Sequence, residues 1–271
     1  MSDFLTDMVA RRQARIADEY GGLSAADRER LACCARPVRD FAAALTDQAD
    51  VAVMAEVKKA SPSAGAIAPH CEASKQALHY QDGGASAISV LTEPESFGGS
   101  FTDLSDVADA VDIPVLCKDF VVDLNQLFVA RGHGADAVLL MVSVLGQRTA
   151  EYVALAETLG LTPFVEVITL QELDIAIRAG ARVVGINNRD LHTLKVDPAR
   201  ARSIVRASHE TGLVTVSASG VKTRADIEVA AAAGADAVLV GETLMHAQFP
   251  EDVLEGFVGV PTIRSGRGDS R

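Results

Sequence analysis

Four near-copies of one phrase constrain the architecture of this chain. GGASAISV, GHGADAVLL, RAGARVVGI and AAGADAVLV each carry a helix-stopping glycine, then alanine, then a β run. Their glycines, Gly84, Gly134, Gly180 and Gly234, recur about every fifty residues, the length of two strand–helix units. Strand-like runs fall at 51–57, 85–91, 114–118, 137–142, 163–168, 183–186, 214–217 and 237–240. Ala-rich helical patterns such as 150–159, 170–179 and 224–233 separate them. Eight strands alternating with helices predict an α/β fold closed as a (β/α)8 TIM barrel. A doubly wound open sheet would not require so regular a repeat.

Ahead of the barrel, residues 3–20 place Phe4, Leu5, Met8, Val9 and Ile16 at helical spacing, and Gly21 and Gly22 stop the pattern. Shorter helices are expected over 24–31 and 40–45, split by Pro37. Residues 1–260 are expected to form a single barrel domain in which 1–50 is a helical extension. The Gly/Ser/Arg-rich tail, 261–271, is expected to be disordered, its Arg-Gly-Asp triplet a coincidence.

At 271 residues the chain matches the roughly 250 a single barrel needs. Hydrophobic content of 48% with only 4% aromatics leaves Ala, Val and Leu to fill buried parallel strands. A net charge of −12 argues against nucleic acid, while a small anion needs only a local basic pocket. Cys33, Cys34, Cys71 and Cys117 lack metal-ligand spacing, so a reduced, cytoplasmic chain is the simplest reading. Residues 1–20 are rich in charge, and no run is long enough to span a membrane. No exposed heptad stands out, so a monomer is expected.

The chemistry gathers at strand ends. Residues two apart on a strand share a face, so Glu56 pairs with Lys58 and Asn187 with Arg189. One such pair could simply neutralise itself at the surface. Two pairs, with Lys118 and Glu166 at other strand ends, describe a barrel-mouth active site. Lys118, near another cation and in a dry pocket, is expected to have a lowered pKa and to serve as general acid or Schiff-base nucleophile. Alternation turns Asp119 away from it. Glu166 lies between Val165 and Val167, and apolar neighbours raise a carboxyl pKa. The loops after strands seven and eight carry Gly220 and Gly241, which permit close backbone approach to a phosphate.

Together, EVKKASPS, SVLTE, Gly98–Ser100, VLCKDF, INNRDL and ADAVLVGE resemble the indole-3-glycerol-phosphate synthase family of tryptophan biosynthesis, from about residue 4 to 250. The resemblance implies N-terminal helices over the barrel mouth and a carboxy-lyase that needs no metal or organic cofactor. It also implies a phosphorylated substrate, 1-(2-carboxyphenylamino)-1-deoxyribulose 5-phosphate, closed to an indole with loss of carbon dioxide and water. Lys118 would protonate the ketone oxygen, Glu166 act in dehydration, and Lys58 orient the surroundings of Lys118 and help bind anion. Glu56, Ser61, Asn187 and Arg189 would hold the anthranilate end and the proton-transfer network. Ser219, Gly220, Gly241 and Glu242 would surround the phosphate.

Two departures stand out: Ala218 where the family has Glu, and Ala64 where it has Lys. They leave two alternatives open, a paralogue for a modified anthranilate substrate and a phosphate-binding barrel without turnover.

Overall fold

The computed structural model describes residues 4–33, 35–189 and 197–263. Eight parallel strands close a barrel: β1 (Ala52–Val57), β2 (Ala87–Leu91), β3 (Val115–Lys118), β4 (Ala137–Met141), β5 (Thr162–Val167), β6 (Val183–Asn187), β7 (Val214–Ala218) and β8 (Ala237–Val240). Each pairs with its sequence neighbours, and β8 closes on β1. Every strand is followed by at least one helix. The four repeat glycines all have positive φ, the left-handed cap that ends a helix before the next strand. The Asp of the GADAV phrase has its own task. Asp136 accepts from Val115 N at 2.8 Å and Asp236 from Thr215 N at 2.9 Å, tying each strand to its predecessor.

Alternation sorts the strand residues into two sets. Val53, Ala55, Val57, Val165 and Val167 face the surrounding helices. Ala52, Met54, Leu116, Leu139, Met141, Phe164, Val216 and Leu239 form the cluster inside the barrel. Gly185 belongs to this inner set. A Cβ there would lie 2.4 Å from the Phe164 ring, so the ring takes the space of a second side chain.

The N-terminal helices serve different ends of the barrel. In α1 (Phe4–Tyr20) the buried residues Leu5, Met8, Arg12 and Ile16 form one stripe. Leu5 and Met8 pack with the inner cluster that contains Phe120 and Met141, as expected of a helix over the mouth. Helix α2 (Ala25–Cys33) lies on the outside, with Leu31 against Gly132. Helix α3 (Phe41–Ala44), capped by Asp40, sits at the opposite end. There Phe41 is fully buried and meets Phe164 edge-on at 6.2 Å, closing the floor of the barrel. Arg39 anchors this segment below the strands by donating to the carbonyls of Ala108 and Val111.

The tail expectation needs correction at its start. Pro261 bridges to Asp50, and Thr262 N donates to Ala49 O at 3.2 Å. Cys33, Cys71 and Cys117 are free thiols. Cys34 and residues 264–271, which include the Arg-Gly-Asp triplet, lie outside the described residues. Among the described residues, no helix is long and apolar enough to cross a membrane.

Candidate active site

A cavity of about 630 Å³ opens at the carboxyl ends of the strands. Glu56, Lys58, Ser61, Lys118, Glu166, Asn187, Arg189, Ser219, Gly220, Gly241 and Glu242 all line it. The inward parity of the strands explains the convergence. Glu56 follows Ala52 and Met54 on the inner face of β1, Lys118 follows Leu116 on β3, and Glu166 follows Phe164 on β5.

Glu56 is the hub. Its Oε1 meets Lys58 Nζ at 3.0 Å, and its Oε2 accepts from Lys118 Nζ at 2.5 Å. Its residue is 2% exposed, and burial alone would raise its pKa. The two ammonium groups overcome that desolvation and hold the carboxyl down at about 2.

Lys118 corrects the sequence expectation. Desolvation does act to lower its pKa, but Glu56 and Glu166 outweigh it, so the net direction is upward. Lys118 is therefore held as a firm cation, the state of a general acid rather than of an amine nucleophile. Asp119 does point elsewhere, as alternation requires. It accepts from Arg12 Nε at 2.9 Å and Nη2 at 2.6 Å, and from Thr92 Oγ1 at 2.8 Å.

Glu166 behaves as its apolar neighbours suggest: desolvation raises its pKa, against the smaller pull of Lys118 and an Asn187 hydrogen bond. Asn187 Nδ2 donates to Glu166 Oε1 at 3.1 Å. The orientation of that amide is set from behind, because Arg189 N donates to Asn187 Oδ1 at 3.0 Å. A backbone N–H can only donate, so the Asn187 oxygen must face it and the NH2 must face Glu166.

Two residues assigned to phosphate have other engagements. The Ser219 hydroxyl donates to Asn187 Oδ1 at 2.8 Å, so it joins the Glu166 network. Gly241 lies against the hub. A Cβ there would be 2.6 Å from Glu56 Oε1, so the bare α-carbon makes room for that carboxylate. Ser61 accepts from Ala64 N at 3.1 Å within its own turn, and its hydroxyl also lies 3.4 Å from that of Ser63.

The sequence reading missed the cavity's apolar wall of Leu91, Phe97, Phe120, Leu139, Met141 and Leu239. Inward parity would have found Leu91, Leu139, Met141 and Leu239. It also missed Lys222 and His246 on the rim, which carry no strand-end signal. Ala218 is 2% exposed, belongs to the inner cluster with Leu239, and is not among the lining residues. Ala64 lies exposed in the turn of a two-residue antiparallel ribbon, Ala60–Ser61 with Gly65–Ala66.

With this geometry in view, the comparisons are decisive. The family model described as indole-3-glycerol phosphate synthase matches residues 5–255. The chain belongs to that family. It is similar to the indole-3-glycerol phosphate synthase of Micrococcus luteus, with 48% identity over 84% of this chain and 86% of that protein. Indole-3-glycerol phosphate synthase 1 of Streptomyces coelicolor is 42% identical over 97% of this chain and 98% of its own. Among solved structures, a 3-hexulose-6-phosphate synthase matches 76% of this chain and 98% of its own with a TM-score of 0.62. At 18% identity that likeness speaks to the barrel alone.

Proposed function

We propose that this chain is an indole-3-glycerol phosphate synthase, a carboxy-lyase acting on 1-(2-carboxyphenylamino)-1-deoxyribulose 5-phosphate. The observation that carries the reading is the Glu56 hub, which keeps Lys118 protonated at the cavity wall across from the Asn187–Glu166 pair.

The apolar wall suits the aromatic ring of the substrate. The ring carbon bearing the carboxylate attacks the ketone carbon, and a carbon–carbon bond forms at the expense of aromaticity. That step needs a strongly electrophilic ketone. Lys118 supplies it by donating a proton to the ketone oxygen as the bond forms. Loss of carbon dioxide then restores the aromatic ring, and the new hydroxyl leaves as water. Glu166, whose raised pKa brings its titration closer to neutrality, exchanges protons in this dehydration. Lys58 balances Glu56 and faces the anionic substrate, with Ser61 and Arg189 also lining the cavity. The backbone around Ser219, Gly220, Gly241 and Glu242 surrounds the phosphate. The Glu242 carboxylate would repel it, so only its backbone is suited to that task.

We further propose a monomer in the cytoplasm, consistent with three free thiols among the described residues. Steady-state turnover of the named substrate, followed by indole fluorescence, tests the reading. Tight binding without turnover would sink it in favour of a ligand-binding barrel.

A further inference from the structure

Asn188 is the one residue of the Asn187–Asn188–Arg189 run that does not line the main cavity; it lines a second cavity of about 180 Å³ behind the mouth. Its carbonyl accepts from Asp197 N at 2.8 Å, while both of its donors reach the end of β7. Asn188 N donates to Ala218 O at 2.9 Å, and its side-chain Nδ2 donates to Ser219 O at 2.6 Å. Its Oδ1 is buried without a partner among the described residues, so the amide is oriented for its donor.

The acceptor it holds is unusual. Ser219 has φ of 71°, the only positive φ at a non-glycine among the described residues. A residue with a Cβ enters that region at a cost of ~1 kcal/mol or more and persists there only when its surroundings hold it. Ser219 is held twice. Its hydroxyl bonds Asn187 Oδ1, and its carbonyl bonds Asn188 Nδ2.

A trans peptide is planar, with its C=O and N–H pointing in opposite directions. The Ser219–Gly220 peptide is trans. With the Ser219 oxygen tied back to Asn188, the Gly220 N–H must point the other way. Asn188 lies on the side of the second cavity, whereas Gly220 also lines the main one. We infer that Asn188 is a positioning residue that sets the Ser219–Gly220 peptide so that the Gly220 N–H faces the substrate phosphate. The inference rests on the proposed function for the presence of a phosphate. Asn188 touches no substrate and acts only through this peptide. Released, the peptide is free to rotate and present its carbonyl to the phosphate, replacing attraction with repulsion.

The test uses inorganic phosphate as probe. Its affinity is measured by calorimetry, and the Gly220 amide is followed by nitrogen-15 NMR during the titration. In wild type the Gly220 amide shifts as phosphate binds. In Asn188→Asp, which keeps the volume but turns a donor into an acceptor facing the Ser219 oxygen, phosphate affinity falls at least ten-fold and the Gly220 shift disappears. Asn188→Ala is weakened less, and Asn188→His, which restores a donor, recovers part of the affinity. In turnover the same variants raise KM about ten-fold, with kcat and the pH profile of kcat nearly unchanged. Variants that lose thermal stability yet bind phosphate with wild-type affinity would show a purely structural Asn188 and overturn the inference. An unaltered Gly220 shift in Asn188→Asp would overturn it as well. Wild type that neither binds phosphate nor turns over would instead overturn the proposed function beneath it.

Discussion

The Lys118 ammonium meets Glu56 Oε2 at 2.5 Å, with 19% of the lysine side chain and 2% of the glutamate side chain exposed. The two residues are 62 positions apart and sit on β1 and β3, strands separated by β2. The contact favours the cationic form of Lys118. Under the proposed function, substrate competes with Glu56 for the ammonium, and proton donation would leave a neutral amine beside Glu56 and Glu166, whose charges favour return of the proton.

Lys118→Ala removes the acid and leaves the apolar wall intact. The expected outcome is a fall in kcat of about 10²–10⁴-fold. Substrate dissociation constants, measured by calorimetry, should change little by comparison. Retention of more than a tenth of the wild-type rate would remove Lys118 from the role of proton donor.

Glu56 links the site to pH. Its carboxyl is held from 4.5 down to about 2, chiefly by Lys118 and then Lys58 against desolvation. A carboxyl depressed in the fold stabilises it above the unfolded pKa, and that stability drains away as pH falls from 4.5 through about 2. Urea unfolding across that window should show a loss in wild type that Glu56→Gln lacks. The same substitution removes the main counter-charge of Lys118, whose pKa then drops. The alkaline limb of kcat should move to lower pH in Glu56→Gln, and a limb that stays in place would mean that Glu56 does not govern Lys118.

Gly241→Ala distinguishes a phosphate contact from a packing one. The added Cβ meets Glu56 Oε1 at 2.6 Å, so the carboxylate must yield and its bonds to the two lysines loosen. If Glu56 serves the proposed reaction, displacement on that scale lowers kcat by about 10²-fold. The measurement is the division of the loss between kcat and KM. A loss confined to KM would return Gly241 to the phosphate alone.

Arg12 and Asp119 tie α1 to the end of β3 with 2% and 1% of their side chains exposed. Arg12→Met leaves a buried carboxylate without its partner and should cost about 3–5 kcal/mol in urea unfolding. Replacing both, as Arg12→Met with Asp119→Leu, should recover most of that. A double variant as unstable as the single one would mean that the pair is wanted for more than mutual neutralisation.

Much of this was readable along the chain. Barrel strands have a period of two, so Glu56, Lys118, Glu166 and Asn187 announce their inward aim by parity with Met54, Leu116, Phe164 and Gly185. The buried stripe of α1 was less plain, because Arg12 stands where the pattern calls for an apolar residue, and its partner is 107 positions away. Phe41 looked like one more residue of a short helix. Its burial on Phe164 at the barrel floor depends on where the chain passes beneath the strands.

Local order in the chain was enough to settle the number of strands, the faces they turn inward and the types of side chain at the mouth. These follow from alternation and from glycines that end helices, which act within a few residues. The charge state of Lys118, the left-handed backbone of Ser219 and the close approach of Gly241 to Glu56 came only with closure of the barrel. Each is a balance of burial against partners from other strands. Coulomb energy and packing depend on distances across space, and those have no counterpart in distance along the chain.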